Sequence, residues 1–330
     1  MKRLRLSALL LVLSFCTCGP AFKTLQAQAD IAVSSPTDYI TKLQDIHVDD
    51  GGNGFAVGRC GVLLTTSTDG QLWDPMPAPT AESLNTIACP PSGCATAVMA
   101  TEEGMFRFSN GSWSALATEN GDLGGTLHWL TEDIIVHETS GDVYYRSVDG
   151  GLSWQAVSLP DFQRANMHFI DASTGFVWVD KDLYKTTDAG ATFDPVGYTD
   201  PNSIRKQTWL DDQRGWIFAS DQLFYGTTDG GLSWTQLNDE QQLTSVNWME
   251  ALSATHLVGA QVTTFRLESL DGGVTWTRGS FLEQGNKRVN ERYHRRGNAF
   301  FTVGDANQIM YSPAGFTDFA EQDPIERHDR

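Results

Sequence analysis

The 330-residue chain carries 41 acidic against 23 basic side chains, a net charge of −18. A field of that sign repels nucleic-acid phosphates and anionic lipid, so both are excluded as partners and a well-solvated surface is expected. No segment is apolar over a length that spans a bilayer as a helix.

The chain begins MKRLRLSALLLVLSF, a basic start followed by a short apolar run, and Ala27-Gln28-Ala29 reads as a cleavage signal. This predicts a secretory leader over residues 1–29, a mature domain over 30–330, and export to the periplasm or the extracellular space. The interval from the apolar run to Ala29 is longer than usual. Cys16 or Cys18, just after the apolar core, gives a lipid-anchored form as the alternative. Lys2, Arg3, Arg5 and Lys23 leave with the leader and no acid does, which takes the net charge from −18 to −22.

The mature chain then repeats. A hydroxyl residue, an Asp, one or two Gly and a closing aromatic recur in STDGQLW, SVDGGLSW, TTDAGATF, TTDGGLSW and SLDGGVTW. An Asp carboxylate that accepts backbone N–H groups pins a turn, and the Gly residues supply positive φ without steric cost. The acids are Asp69, Asp149, Asp188, Asp229 and Asp271, at spacings of 80, 39, 41 and 42. The double spacing predicts an eroded copy midway, found as FSNGSW with Asn110 in place of the acid. One more period lands on SPAGFTDF at Ser312 to Phe319. Because these acids recur with the period, they are read as structural rather than catalytic.

Each unit has a first strand such as LQDIHVDD or NMHFIDA, a Gly turn, an apolar strand such as GFAVG or GWIFA, a third strand such as DLYKT, and a fourth opened by the aromatic. Alternating aromatic and β-branched residues with turns every eight to twelve positions predict antiparallel strands. Seven units of about 41 residues give an all-β fold, a seven-bladed β-propeller of four-stranded antiparallel blades, in one domain. Three cysteines remain after the leader. Cys89 and Cys94 bracket the turn CPPSGC and are expected to form a disulfide on export, whereas Cys60 is read as a small buried thiol that stays reduced.

Units of the form Gly-(Phe/Trp)-x-Val followed by (Thr/Ser)-x-Asp-Gly-Gly-x-(Ser/Thr)-Trp resemble Asp-box, or BNR, repeats. Seven in one exported chain resemble the photosystem II stability/assembly factor family, over nearly the whole mature chain. That resemblance implies a non-enzymatic module that binds a protein partner, with an arginine patch involved in partner contact. Relatives also include sialidases and xyloglucanase-type glycosidases, so carbohydrate binding or hydrolysis is the alternative. Sialidases carry an Arg-Ile-Pro element that is absent here. A glycosidase needs two facing carboxyls. Glu102, Glu103, Glu119, Asp122, Asp180, Asp182 and Asp221 fall on the expected connection face, and none is marked by spacing. No catalytic residue, cofactor or metal is assigned, and the chain is expected to act as a monomer.

Two further features stand out. His47, His128 and His168 occupy equivalent first-strand places, matched elsewhere by Thr208, Asn247 and Asn290, and are read as a polar ring hydrogen-bonded near the channel. NKRVNERYHRRGN, residues 286–298, is basic in an acidic chain. Its Lys287, Arg288, Arg292, Arg295 and Arg296 are the candidate partner-binding residues. A basic turn neutralised by neighbouring acids is the competing reading.

Overall fold

The second strand of nearly every unit is a short apolar run buried along its whole length, as in Gly54–Gly58, Gly175–Val179 and Gly215–Ala219. A strand buried on both faces must lie between two neighbours, and a ring of sheets provides that for every unit. The computed structural model shows this ring. It describes residues 42–322 except 103, 118–123, 140–142, 159–165, 180–181, 200–203, 239–242, 244, 262–264, 281–288, 305–308, 314 and 317–319.

Seven sheets, each of four antiparallel strands in sequence order, form blades 1 to 7 over residues 43–75, 84–115, 126–158, 166–199, 204–236, 246–280 and 289–322. Helix is confined, among the described residues, to one short 3-10 turn at Arg59–Gly61. No described helix is long and apolar enough to cross a membrane. The first strand of each blade lies innermost and, except between blades 3 and 4, packs closely beside the first strand of the next. The ring closes where the inner strand of blade 7 (Val289–Arg296) meets that of blade 1 (Leu43–Val48). All four described strands of blade 7 come from the C-terminal unit, so closure there is by packing rather than by an exchanged strand.

The hydrophobic core is divided the same way. Seven buried clusters occupy the seven blade-to-blade interfaces. The aromatic that closes each Asp-containing turn reaches into the interface with the preceding blade. Trp234 of blade 5, for example, joins Phe176, Trp178 and Leu183 of blade 4. Gly231 must be glycine for that approach: its φ is +90°, and a Cβ there would stand 2.3 Å from Leu183 Cδ2.

The turns of blades 3 to 6 share one network. In blade 5 the Thr227 hydroxyl donates to Asp229 Oδ1 at 2.7 Å and accepts the Gly231 N–H at 3.0 Å. Asp229 accepts the Ser233 N–H at 2.9 Å and the Ser233 hydroxyl at 2.5 Å. Asp149, Asp188 and Asp271 repeat these contacts. The hydroxyl and amide of Ser233 and the hydroxyl of Thr227 hold the Asp229 carboxyl down at about 2.

Blades 1 and 2 depart from the sequence reading. Asp69 does not occupy the acid's place: Thr68 does, its hydroxyl accepting the Leu72 N–H at 2.9 Å. Asp69 sits one residue further on, at φ +57°, with its N–H on Gly52 O, as the Gly230 N–H sits on Gln213 O. The turn of blade 1 has the same length as the others, Thr66 to Trp73 against Thr227 to Trp234, but reads Thr-Asp-Gly where blade 5 reads Asp-Gly-Gly, so its acid stands one place later. Asn110 is not a substitute acid either. With Gly111 it forms a two-residue hairpin, both at positive φ, between paired Ser109 and Ser112.

Sγ of Cys89 is bonded to Sγ of Cys94. The reading of Cys60 is corrected. It lies half-buried in the 3-10 turn at φ +58°, not in a strand, and is disulfide-bonded rather than reduced. The leader 1–29, with Cys16 and Cys18, also lies outside the described residues.

Candidate functional site: the central channel

The inner strands enclose a channel of about 840 Å³. Strand register fixes which residues share a level in it. The residue that pairs with the second position of the second strand is His47, Ala88, His128, His168, Thr208 and Glu250 in blades 1 to 6. In blade 7, whose second strand starts one residue earlier relative to its turn, His294 holds that level opposite Phe301. The three histidines and Thr208 are therefore equivalent, as the sequence implies. Asn247 and Asn290 are not: Glu250 and His294, three and four residues further on, hold those places.

From blade 4 round to blade 1 these side chains tie each blade to the next. His168 Nε2 accepts the Trp209 N–H at 3.4 Å, and Thr208 Oγ1 accepts the Ala251 N–H at 3.1 Å. His294 Nε2 donates to Val48 O at 2.8 Å, bridging blade 7 to blade 1. Glu250 accepts the Tyr293 hydroxyl and pairs with Arg295 Nη1 at 3.2 Å. Burial, then the nearby His294, lowers the His47 ring well below the ordinary imidazole value. Burial likewise lowers His168, partly offset by Glu250, and His294. Tyr293 is raised well above a free phenol by burial and then by Glu250.

Asp45 Oδ2 accepts the Thr86 hydroxyl at 2.7 Å and the Ile87 N–H at 3.1 Å, joining blade 1 to blade 2. Thr86 in turn accepts the Leu127 N–H of blade 3 at 3.3 Å. Arg292 lies 3.8 Å from Asp45 Oδ2 and reaches across to blade 3, donating to Thr126 Oγ1 at 2.8 Å and to Gly125 O. Glu138 accepts the Met167 N–H of blade 4 at 3.3 Å and stands 3.4 Å from His128 Nε2.

The described arginines of the basic stretch are thus all engaged by the body. Arg292 is set into the channel wall. Arg295 pairs with Glu250 of blade 6 and lies over Phe300. Arg296 holds blade 1, donating to Asp49 O at 2.9 Å and pairing with Asp69 at 2.9 Å. Lys287 and Arg288 lie outside the described residues. Of the acids on the connection face, Glu102 and Asp182 are exposed, while Asp221 accepts the Leu223 N–H and the Tyr225 hydroxyl. Glu103, Glu119, Asp122 and Asp180 lie outside the described residues.

No protein-family model and no curated protein matches the chain. Solved structures do. YCF48 bound to D1 peptide superposes with a TM-score of 0.68 at 18% identity, over 87% of this chain and 98% of that one. YCF48 from Cyanidioschyzon merolae follows at 0.66 and 15%, over 84% and 96%. The GH74 xyloglucanase from Xanthomonas campestris gives 0.64 and 15%, over 86% of this chain and 55% of its own. The likeness is one of fold. At these identities it carries no residue role across.

Proposed function

We propose that this chain is an exported, non-enzymatic propeller that binds a segment of another protein as a monomer, in the manner of an assembly or stability factor. The observation that supports it most is the state of the channel carboxylates. Asp45, Glu138 and Glu250 each accept hydrogen bonds that hold one blade to the next. Glycoside hydrolysis works through two carboxyls placed across the scissile bond, whereas these three serve as acceptors between blades. A neighbour of the same fold and nearly the same length, YCF48, is solved with a peptide bound.

The capture role of the basic stretch narrows to Lys287 and Arg288, since Arg292, Arg295 and Arg296 already hold Asp45, Glu250 and Asp69. In the double reversal Lys287→Glu/Arg288→Glu, capture of a partner from the exported fraction should weaken with melting unchanged, and wild-type capture should fall with added salt. The purified protein should leave xyloglucan oligosaccharides intact. Saccharide turnover that disappears in Glu250→Gln or Asp182→Asn, with the variant still folded, would replace this reading with the glycosidase alternative.

A further inference from the structure

The Cys89–Cys94 bridge is buried between blades 1 and 2, beside His47 of the channel wall. A ring nitrogen of His47 and the two Sγ atoms all lie within 4.8 Å of one another. We propose that, once a dithiol reductant opens this disulfide, Cys89, Cys94 and His47 form a zinc site between blades 1 and 2 at the edge of the channel, distinct from the protein-binding role.

Two thiolates and one imidazole are a recurrent zinc ligand set. Soft sulfur ligands select zinc or cuprous ion over the hard cations that oxygen ligands prefer. Tetrahedral zinc, with Zn–S near 2.3 Å and Zn–N near 2.0 Å, needs ligand atoms about 3.5–3.8 Å apart. The spacing there comes within reach of that once the two sulfurs part.

The cysteine backbone has supports other than the S–S bond. The Cys94 N–H donates to Asp49 Oδ2 at 2.6 Å, and the Gly93 N–H to Pro90 O at 3.0 Å. Ser92 donates its N–H and its hydroxyl to the two oxygens of Glu132 on blade 3, at 2.9 and 2.7 Å. Pro90 and Pro91 restrict φ in the same turn. The ligands therefore stay gathered when the bridge opens. The ring of His47 packs on that of His294, centroids 4.3 Å apart. Neither of its nitrogens has a hydrogen-bond partner among the described residues. His47 lines the channel while Cys89 and Cys94 are buried behind it, so a fourth ligand would have to come from the His47 side. The chemistry balances. The reductant delivers two electrons and two protons to the bridge, giving two thiols, and zinc displaces both thiol protons as it binds.

The test is a titration of the full chain, with and without reductant, using zinc alone against a chromophoric chelator and then cobalt as a spectroscopic stand-in. The reduced protein should bind one equivalent, showing a thiolate-to-cobalt charge-transfer band and tetrahedral d–d bands, and the oxidised protein none. His47→Ala should weaken zinc at least about tenfold, Cys89→Ser/Cys94→Ser should abolish the band, and Cys60→Ser should leave it unchanged. Should the reduced chain lose its cooperative melt, zinc should restore the melt in wild type and not in His47→Ala. Equal binding by oxidised and reduced protein, binding that survives the double serine variant, no binding by the reduced chain, or wild-type affinity in His47→Ala each overturns the proposal.

Discussion

Blades 3 to 6 and the seam between blades 7 and 1 hold the same fold together by different means. In blades 3 to 6 the turn acids act within their own blade, and each of Asp149, Asp188, Asp229 and Asp271 closes one hairpin. At the seam the charged groups act between blades that are far apart in sequence. Arg296 grips Asp49 and Asp69, His294 reaches Val48, and Arg292 spans to blade 3. Residues that repeat with the blade period build blades, and residues that occur once join the ends of the ring. Asp69 shows both sides: its place in the turn is the left-handed one that glycine fills in blades 3, 5 and 6, and its carboxylate serves the seam.

The largest expected effect comes from reversing the seam. In Arg292→Glu/Arg295→Glu/Arg296→Glu, like charges meet at Asp45, Glu250 and Asp69. The cooperative melting transition should be lost, where a surface patch would have left it nearly unmoved. A melt within a few degrees of wild type would return these arginines to the surface. Next is Trp209→Ala at a regular interface, where the indole is stacked on Phe176 with centroids 3.5 Å apart and its Nε1 donates to Gln207 at 2.8 Å. Denaturant unfolding should show a loss of about 3–5 kcal/mol. Asp188→Ala should cost much less, lowering the melting temperature by a few degrees and leaving partner capture intact in the folded fraction. Loss of capture without a change in melting would contradict its structural role.

The smallest effects are those of pH, and they separate the turns from the inner strands by window. The Asp229 carboxyl is lower in the fold, at about 2, than in the unfolded chain, near 3.9. Its stabilisation is therefore present above the unfolded value and lost as pH falls from about 4 toward 2, and Asp229→Asn should flatten that limb. His168 is also lowered in the fold, here by burial, so the unfolded chain takes up a proton near pH 6.5 before the fold does. Stability should accordingly decline as pH falls from about 7 toward 5. A melting temperature flat across that interval would show that His168 is not held neutral.

The blade count and the turn chemistry were legible because both are local. An Asp, a glycine and an aromatic within eight residues carry all the information that a hairpin needs. The error at Asp69 was avoidable in part: counting back five residues from Trp73, as from Trp234 to Asp229, lands on Thr68. The seam was not legible. Arg296 and Asp49 are 247 residues apart, and Arg292 and Thr126 are 166 apart. Those contacts exist only once the ring has closed. The same holds for Glu250 and Tyr293, which no spacing marked and which strand register alone brings to the channel.

The inner strand of blade 7 is a clamp rather than a display surface. A double-mutant cycle on Arg292→Met and Asp45→Asn, followed by denaturant unfolding, tests this most directly, since the two side chains are 23% and 10% exposed. The predicted coupling is about 1–3 kcal/mol. Additivity within about 0.3–0.5 kcal/mol would contradict it.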